Sequence, residues 1–332
     1  MAESVAVHGE LGVWRGEDVG LGQVLDALSG LRRGEQRTAT RASVTNLVQV
    51  AAGEDEVARA CTAVHRLGRR HPGRSIALLP RPRAEPSGID AEVILHGSVH
   101  EGHPVWSEDI RLVVRGEPAS HLDSLVKPLT LADVPVAVWW VTGLPDPADP
   151  LLRAAGAVIV DCATLDESQV GAVAALARRF VVLDLCWAGL RPWRQVLAGQ
   201  FEVPAARPFV AGVRAVEVSG PTWPALLLAG WATSRLGLPP GAVRRSPGLT
   251  PAIHLSAQAG GRTATFSAEQ MPGPGGSAIV RAWSTLAADG ARDDRLTLPG
   301  DPLAWALGEA LTHLGRDRTH GQALAAAVGF AG

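Results

Sequence analysis

The stretch DVPVAVWW, residues 133–140, decides the fold. Successive side chains on a strand point to opposite faces, so a strand with one wet face alternates apolar and polar residues. This stretch does not alternate: after Asp133 it is apolar to its end. A strand of that kind is covered on both faces, and such strands belong to largely parallel sheets flanked by helices. AVIVD (157–161) and FVVLDL (180–185) read the same way. Trp139 and Trp140 end the stretch with rings on opposite faces. One ring is expected in the core, and the other at or just beneath a functional edge beside Trp187 or Trp193.

Working outward, SVTNLVQVAA (43–52) is rich in β-branched residues and predicts a strand. The segment 54–73 predicts a helix, with acids early, arginines late and Pro-Gly after it. Strands are expected at 75–81, 91–97 and 109–116, and helices at 120–129, 149–156 and 167–179. Residues 43–187 therefore read as one α/β three-layer domain with a largely parallel sheet, preceded by a mixed segment, 1–42. From residue 188 to 332 the pattern changes. WPALLLAGWATSRLG (223–237) is apolar most of the way round and predicts a buried helix. Short alternating strands at 253–261, 262–270, 277–287 and 294–300 suggest an antiparallel meander, and helices close the chain. This half reads as an α+β domain with an antiparallel sheet, one face of it covered by helices.

The 332 residues carry 31 basic and 33 acidic side chains, a balance that gives no reason to expect nucleic acid or an anionic membrane as partner. No apolar run reaches the ~20 residues of a membrane span, and the amino terminus lacks the pattern of a signal peptide. Cys61, Cys162 and Cys186 are sparse, odd in number and free of CxxC spacing. They are expected to be reduced and mostly buried, as in a cytoplasmic protein.

Candidate chemistry is thin. GPGGS (273–277) looks like a phosphate loop, but a strand-like segment follows it where a helix is needed, so it reads as a hairpin turn. GLGQVL (20–25) lacks a third glycine. HGSVHEGH places His96, His100, Glu101 and His103 close together, yet the spacing fits no zinc pattern and reads as a surface loop. Cys61 and His65 share a helical face without completing a site. Asp161 and Asp184 stand at strand ends, where α/β folds bind ligands and where aspartates also cap helices. No catalytic set, metal or cofactor is predicted.

Several strings together resemble one family. They are SVTNLVQVA with HPGRSIALLPR, the stretch 106–140 ending in Trp-Trp, AVIVDCA, and LDLCWAGLRPWRQVLAGQF. Their order and spacing are similar to the glucose-6-phosphate dehydrogenase assembly proteins of the OpcA type. The likeness is good over about residues 39–205, and beyond that it extends only to the order of elements. It implies a non-enzymatic partner of glucose-6-phosphate dehydrogenase that promotes the enzyme's assembly and activity and so feeds NADPH production in the oxidative pentose phosphate pathway. Matching positions include Asn46, Pro72, Asp133, Pro135 and Pro192. The candidates for partner or ligand contact are His71, Arg74, Trp139, Trp140, Asp161, Trp187, Trp193 and Arg194. The second reading is a sugar-phosphate- or nucleotide-binding protein using the carboxyl edge of the α/β sheet, with His71, Arg74, Asp161 and Arg194 as its polar groups.

Overall fold

The computed structural model describes residues 9–35, 45–67, 73–100, 103–239, 241–286 and 292–330. The chain forms two compact units. The first comprises residues 1–161, 180–183 and 307–315, and the second residues 162–179, 184–306 and 316–332.

The first unit is built on β1 (Gly9–Gly16), α1 (Leu21–Glu35), β2 (Thr45–Val50), α2 (Glu54–Leu67), β3 (Gly73–Arg81), β4 (Gly88–His100), β5 (His103–Arg115), α3 (Leu122–Leu129), β6 (Val136–Trp140), α4 (Leu151–Ala154) and β7 (Ala157–Val160). Its eight-stranded sheet has the order β1-β4-β5-β3-β2-β6-β7-β8, where β8 is Val182–Asp184. From β5 through β7 the pairs are parallel. β1, β4 and β5 pair antiparallel at the other side. The segment read as mixed from sequence thus supplies a sheet strand of its own, β1.

Asn46 fixes how the central strand enters the sheet. Its side chain is fully buried and donates to the carbonyls of Leu131 (3.1 Å) and Val134 (3.0 Å). Its Oδ1 accepts from the Leu131 N–H at 2.8 Å. The turn that includes Asp133, at φ 62°, is held by these bonds, and β6 starts in register beside β2. Trp139 lies opposite Gln49 and Trp140 opposite Val50, so the rings do take opposite faces. Both are buried, Trp139 at 0% and Trp140 at 6% exposure.

Arg74 and Glu108 are register partners on β3 and β5, and both are buried. Arg74 donates to Glu108 Oε2 through Nε (2.8 Å) and Nη2 (2.7 Å), and to the Leu129 carbonyl on α3. Arg32 on α1 donates to the same carboxylate, to Oε1 at 2.5 Å and Oε2 at 3.0 Å. One carboxylate therefore joins α1 to two strands, and through Arg74 to α3. Burial makes an uncompensated charge costly, and pairing offsets that cost.

The second unit contains α5 (Val170–Arg179), α6 (Leu185–Gly189), α7 (Arg191–Gly199), α8 (Arg207–Val210), β9 (Val213–Gly220), α9 (Thr222–Leu236), β10 (Val243–Pro247), β11 (Ala252–Ala259), β12 (Arg262–Pro272), β13 (Ala278–Ser284), β14 (Asp293–Thr297), α10 (Pro302–Thr312), which runs on into residues of the first unit, and α11 (Arg318–Ala327). Its six-stranded sheet has the order β10-β9-β11-β12-β13-β14. Among the described strands only β10 with β9 is parallel, joined across α9. The rest is the expected meander. GPGGS is its β12–β13 turn, in which Gly275 and Gly276 take φ of 63° and 80°, a region other residues enter at a cost. α9 is buried along most of its length, and Gly230 lies so close to α11 that an added Cβ would come within 2.2 Å of the Ala323 carbonyl oxygen.

Three stability outcomes follow from this packing. Trp139→Ala should cost about 3–5 kcal/mol in denaturant unfolding. Trp139→Phe should cost less, because the indole Nε1 has no hydrogen-bond partner among the described residues. Glu108→Ala should cost about 3–5 kcal/mol by stranding two guanidinium groups.

Candidate functional site

Asp184 ends β8 and caps α6: its Oδ1 accepts from the N–H groups of Cys186 (2.9 Å) and Cys162 (3.3 Å). The capping alternative for this residue is the one realised. α6 presents Trp187. α7 follows, with Pro192 in its first turn, where a missing N–H costs nothing. It carries Arg194, in the turn after the Leu190 junction between the two helices. The Arg194 guanidinium lies 3.5 Å from the Trp187 ring centroid and donates to the Trp187 carbonyl at 2.6 Å.

The indole is also contacted from α11. His320 stacks on it with centroids 5.3 Å apart and planes 26° apart. Asp317 caps α11, its Oδ1 accepting from Thr319 N–H (2.8 Å) and His320 N–H (3.0 Å). Its Oδ2 accepts from Trp187 Nε1 at 2.8 Å. His320 Nε2 stands 3.4 Å from Asp184 Oδ2, and both residues are buried. Trp187 is thus held at its Nε1 by a carboxylate and has a guanidinium and an imidazole packed against its ring.

The charges respond. Burial pushes the Arg194 guanidinium down to about 10, against the pull of Asp317, and it remains protonated at neutral pH. For Asp317, burial acts to raise the carboxyl, but the hydrogen bonds from the His320 N–H, Trp187 and Thr319 win and hold it below its ordinary value. A cation against an indole is attracted by the ring quadrupole, more strongly where water is excluded. This arrangement suits orientation: it fixes one aromatic side chain and a half-buried guanidinium.

The sequence candidates divide between the units. Trp187 and Arg194 touch. Trp193, in the same unit, is buried and donates from Nε1 to the Pro251 carbonyl at 2.8 Å. Arg74, Trp139, Trp140 and Asp161 belong to the first unit. Arg74 corrects the expectation of a polar group at the carboxyl edge: it is the second residue of β3, at the amino end, and is committed to Glu108. Asp161 follows β7 directly. His71 lies outside the described residues, as do Glu101 and the side chains of His100 and His103. His96, which ends the expected strand 91–97 and opens the stretch read as a loop, is in β4, and β4 and β5 pair beyond it as a long hairpin up to His100 and His103. Its Nε2 is 2.9 Å from Asp109 Oδ2, a hydrogen bond that raises the imidazole above its ordinary value. It lines a cavity of about 540 Å³ together with Thr45, Leu47, His65, Ser75 and Asp109, at the amino ends of β2 and β3. Cys162 and Cys186 are buried and Cys61 is half-buried, its thiol pushed up to about 11 by burial. Asp317 and His320 were missed, although an aspartate just before a helix is a capping signal that could have marked the first.

Two family models match the chain. One, described as the amino-terminal domain of a glucose-6-phosphate dehydrogenase subunit, matches residues 64–178. The other, described as the carboxy-terminal domain of the same protein, matches residues 181–324. The chain belongs to the OpcA family of glucose-6-phosphate dehydrogenase assembly proteins. The family is one of assembly proteins rather than of catalysts. A Synechocystis sp. protein provisionally named OxPP cycle protein OpcA is 26% identical over 192 residues. That match takes in 54% of this chain and 40% of the relative, so the chain spans less than half the relative's length. Among solved structures, the transcriptional regulator Gal80p from Kluyveromyces lactis aligns over 80% of this chain and 79% of its own at 8% identity, with a TM-score of 0.34. That likeness is too distant to bear on the fold. No described helix is long and apolar enough to cross a membrane.

The Asp317 cluster predicts a pH dependence. A carboxyl depressed in the folded state stabilises it fully above the unfolded value, near 4, and the contribution is lost as pH falls through the folded value. Asp317→Asn should therefore be less stable than the native protein at pH 7, with the gap closing below about pH 4. Denaturant melts of both proteins across that range check it.

Proposed function

We propose that this protein binds glucose-6-phosphate dehydrogenase and acts as a non-enzymatic assembly factor and allosteric activator. The observation that carries the reading is the pair of family matches, which run from residue 64 to residue 324 and so take in both units. The naming of the Synechocystis relative as an OxPP cycle protein points to the same pathway. Physically, such a protein binds the assembled, substrate-competent state of the enzyme more tightly than the other state and shifts the population toward it. A protein with no differential affinity for the two states would shift nothing. The charge balance of the chain favours a protein surface over a polyanion.

Titrating this protein into the dehydrogenase of the same organism should raise activity and shift the enzyme's sedimentation toward a larger oligomer. A coupling of about 1–3 kcal/mol would change apparent substrate affinity by about 5- to 150-fold. Unchanged activity and unchanged oligomer size across the titration would refute the reading.

A further inference from the structure

The second unit's sheet has two unlike faces. Alternation along the strands places Ile253, Leu255, Phe266, Ala268, Val280 and Ala282 together, all buried. Phe201, just after α7, and Phe209, on α8, bring their rings to 4.2 and 6.0 Å from Phe266, so this face is the core. Gln200 adds bonds to the Ala282 carbonyl and to Asp294.

The opposite face is partly exposed and alternates to polar residues on most strands, as a wetted antiparallel sheet does, but Ile279 and Trp283 on β13 and Met271 on β12 interrupt that pattern. β13 sends Ile279, Arg281 and Trp283 outward, each half-buried. Met271 on β12 is the register partner of Ile279, and Thr297 on β14 is its partner on the other side. Arg281 stacks over the Trp283 ring at 5.0 Å and is locked there by a two-pronged bond to Asp293, at 3.0 and 2.9 Å. His254 meets the same indole edge-on at 6.5 Å, its Nδ1 2.9 Å from Ser267 Oγ. Aromatic, arginine and methionine side chains are the types enriched in interfaces, and here the ring and the guanidinium are already immobilised, which lowers the entropy lost on binding.

We infer that this outer face, centred on Trp283, is the surface that docks glucose-6-phosphate dehydrogenase. The inference rests on the proposed function and adds a location to it. Charge decides the class of occupant. Arg281 and Arg295 are matched on this patch by Asp293 and Glu269, so it lacks the surplus of positive charge that a nucleic acid or anionic membrane requires. A folded protein surface offering apolar side chains to Ile279, Trp283 and Met271, ringed by polar groups, fits it. Size agrees: six strands span about 24 Å at a spacing of ~4.8 Å, the scale of a standard interface of ~800 Å² per partner.

The test measures dehydrogenase binding by the full-length protein and three variants. Trp283→Ala and Ile279→Asp remove the anchors. Thr297→Arg adds bulk beside Ile279 from an exposed threonine and takes nothing from the core, so it serves if the other two destabilise the fold. Variants with native melting temperatures should bind at least tenfold more weakly and lose activation in proportion. Binding within about twofold of the native protein overturns the inference while leaving the proposed function standing. So does a loss confined to self-association, measured by sedimentation, which would assign the face to a second copy. A native protein that neither binds nor activates the dehydrogenase overturns both.

Discussion

Glu108 is held by Arg32 from α1 and by Arg74 from β3, and Arg74 reaches on to α3. Neither the carboxylate nor Arg74 can be solvated where it lies, so each is stable only while the other is in place. This makes the relation of α1, α3 and the parallel strands an all-or-none matter. Asn46 does the same for the approach to β6 with neutral groups, satisfying three backbone polar atoms in one turn. Polar contacts thus set the register of an otherwise apolar sheet, where slippage would exchange one hydrophobic face for another.

The second unit uses charge for a different purpose. Asp317 is both a helix cap and the partner of an indole, so α11 cannot start elsewhere without releasing Trp187. Rings fixed in this manner appear twice in the unit, at Trp187 beneath Arg194 and at Trp283 beneath Arg281. Trp187 is buried, so its fixing serves the fold; Trp283 is half-buried, and a ring fixed before association concentrates binding strength in a few positions. That fits a family whose members are assembly proteins.

The fold class was legible because it lies in local patterns. Continuous apolar runs at 134–140 and 157–160 gave the parallel sheet, and alternation after residue 252 gave the meander. The site was less so. Arg74 invites a reading as a ligand fork, yet nothing near it in sequence shows Glu108 waiting on the adjacent strand or Arg32 arriving from a helix 42 positions earlier. The stretch after His96 was read as a loop between strands, while cross-strand pairing extends the hairpin to His100 and His103. Asp317 and His320 reach Trp187 from about 130 residues away, a separation at which no periodicity survives. Trp139 and Trp140 obeyed alternation, but whether a ring is covered depends on layers that come from other parts of the chain.

The close contact of α9 with α11 has a consequence for how the protein is made. Gly230 admits the Ala323 backbone, so the two helices complete each other's core. On the ribosome α9 emerges first, and about eighty further residues must be synthesised before α11 exists to cover it. At roughly 5–20 residues per second, a helix apolar on nearly every side waits several seconds or more in the nascent chain. During that interval the exposed apolar helix is open to premature association.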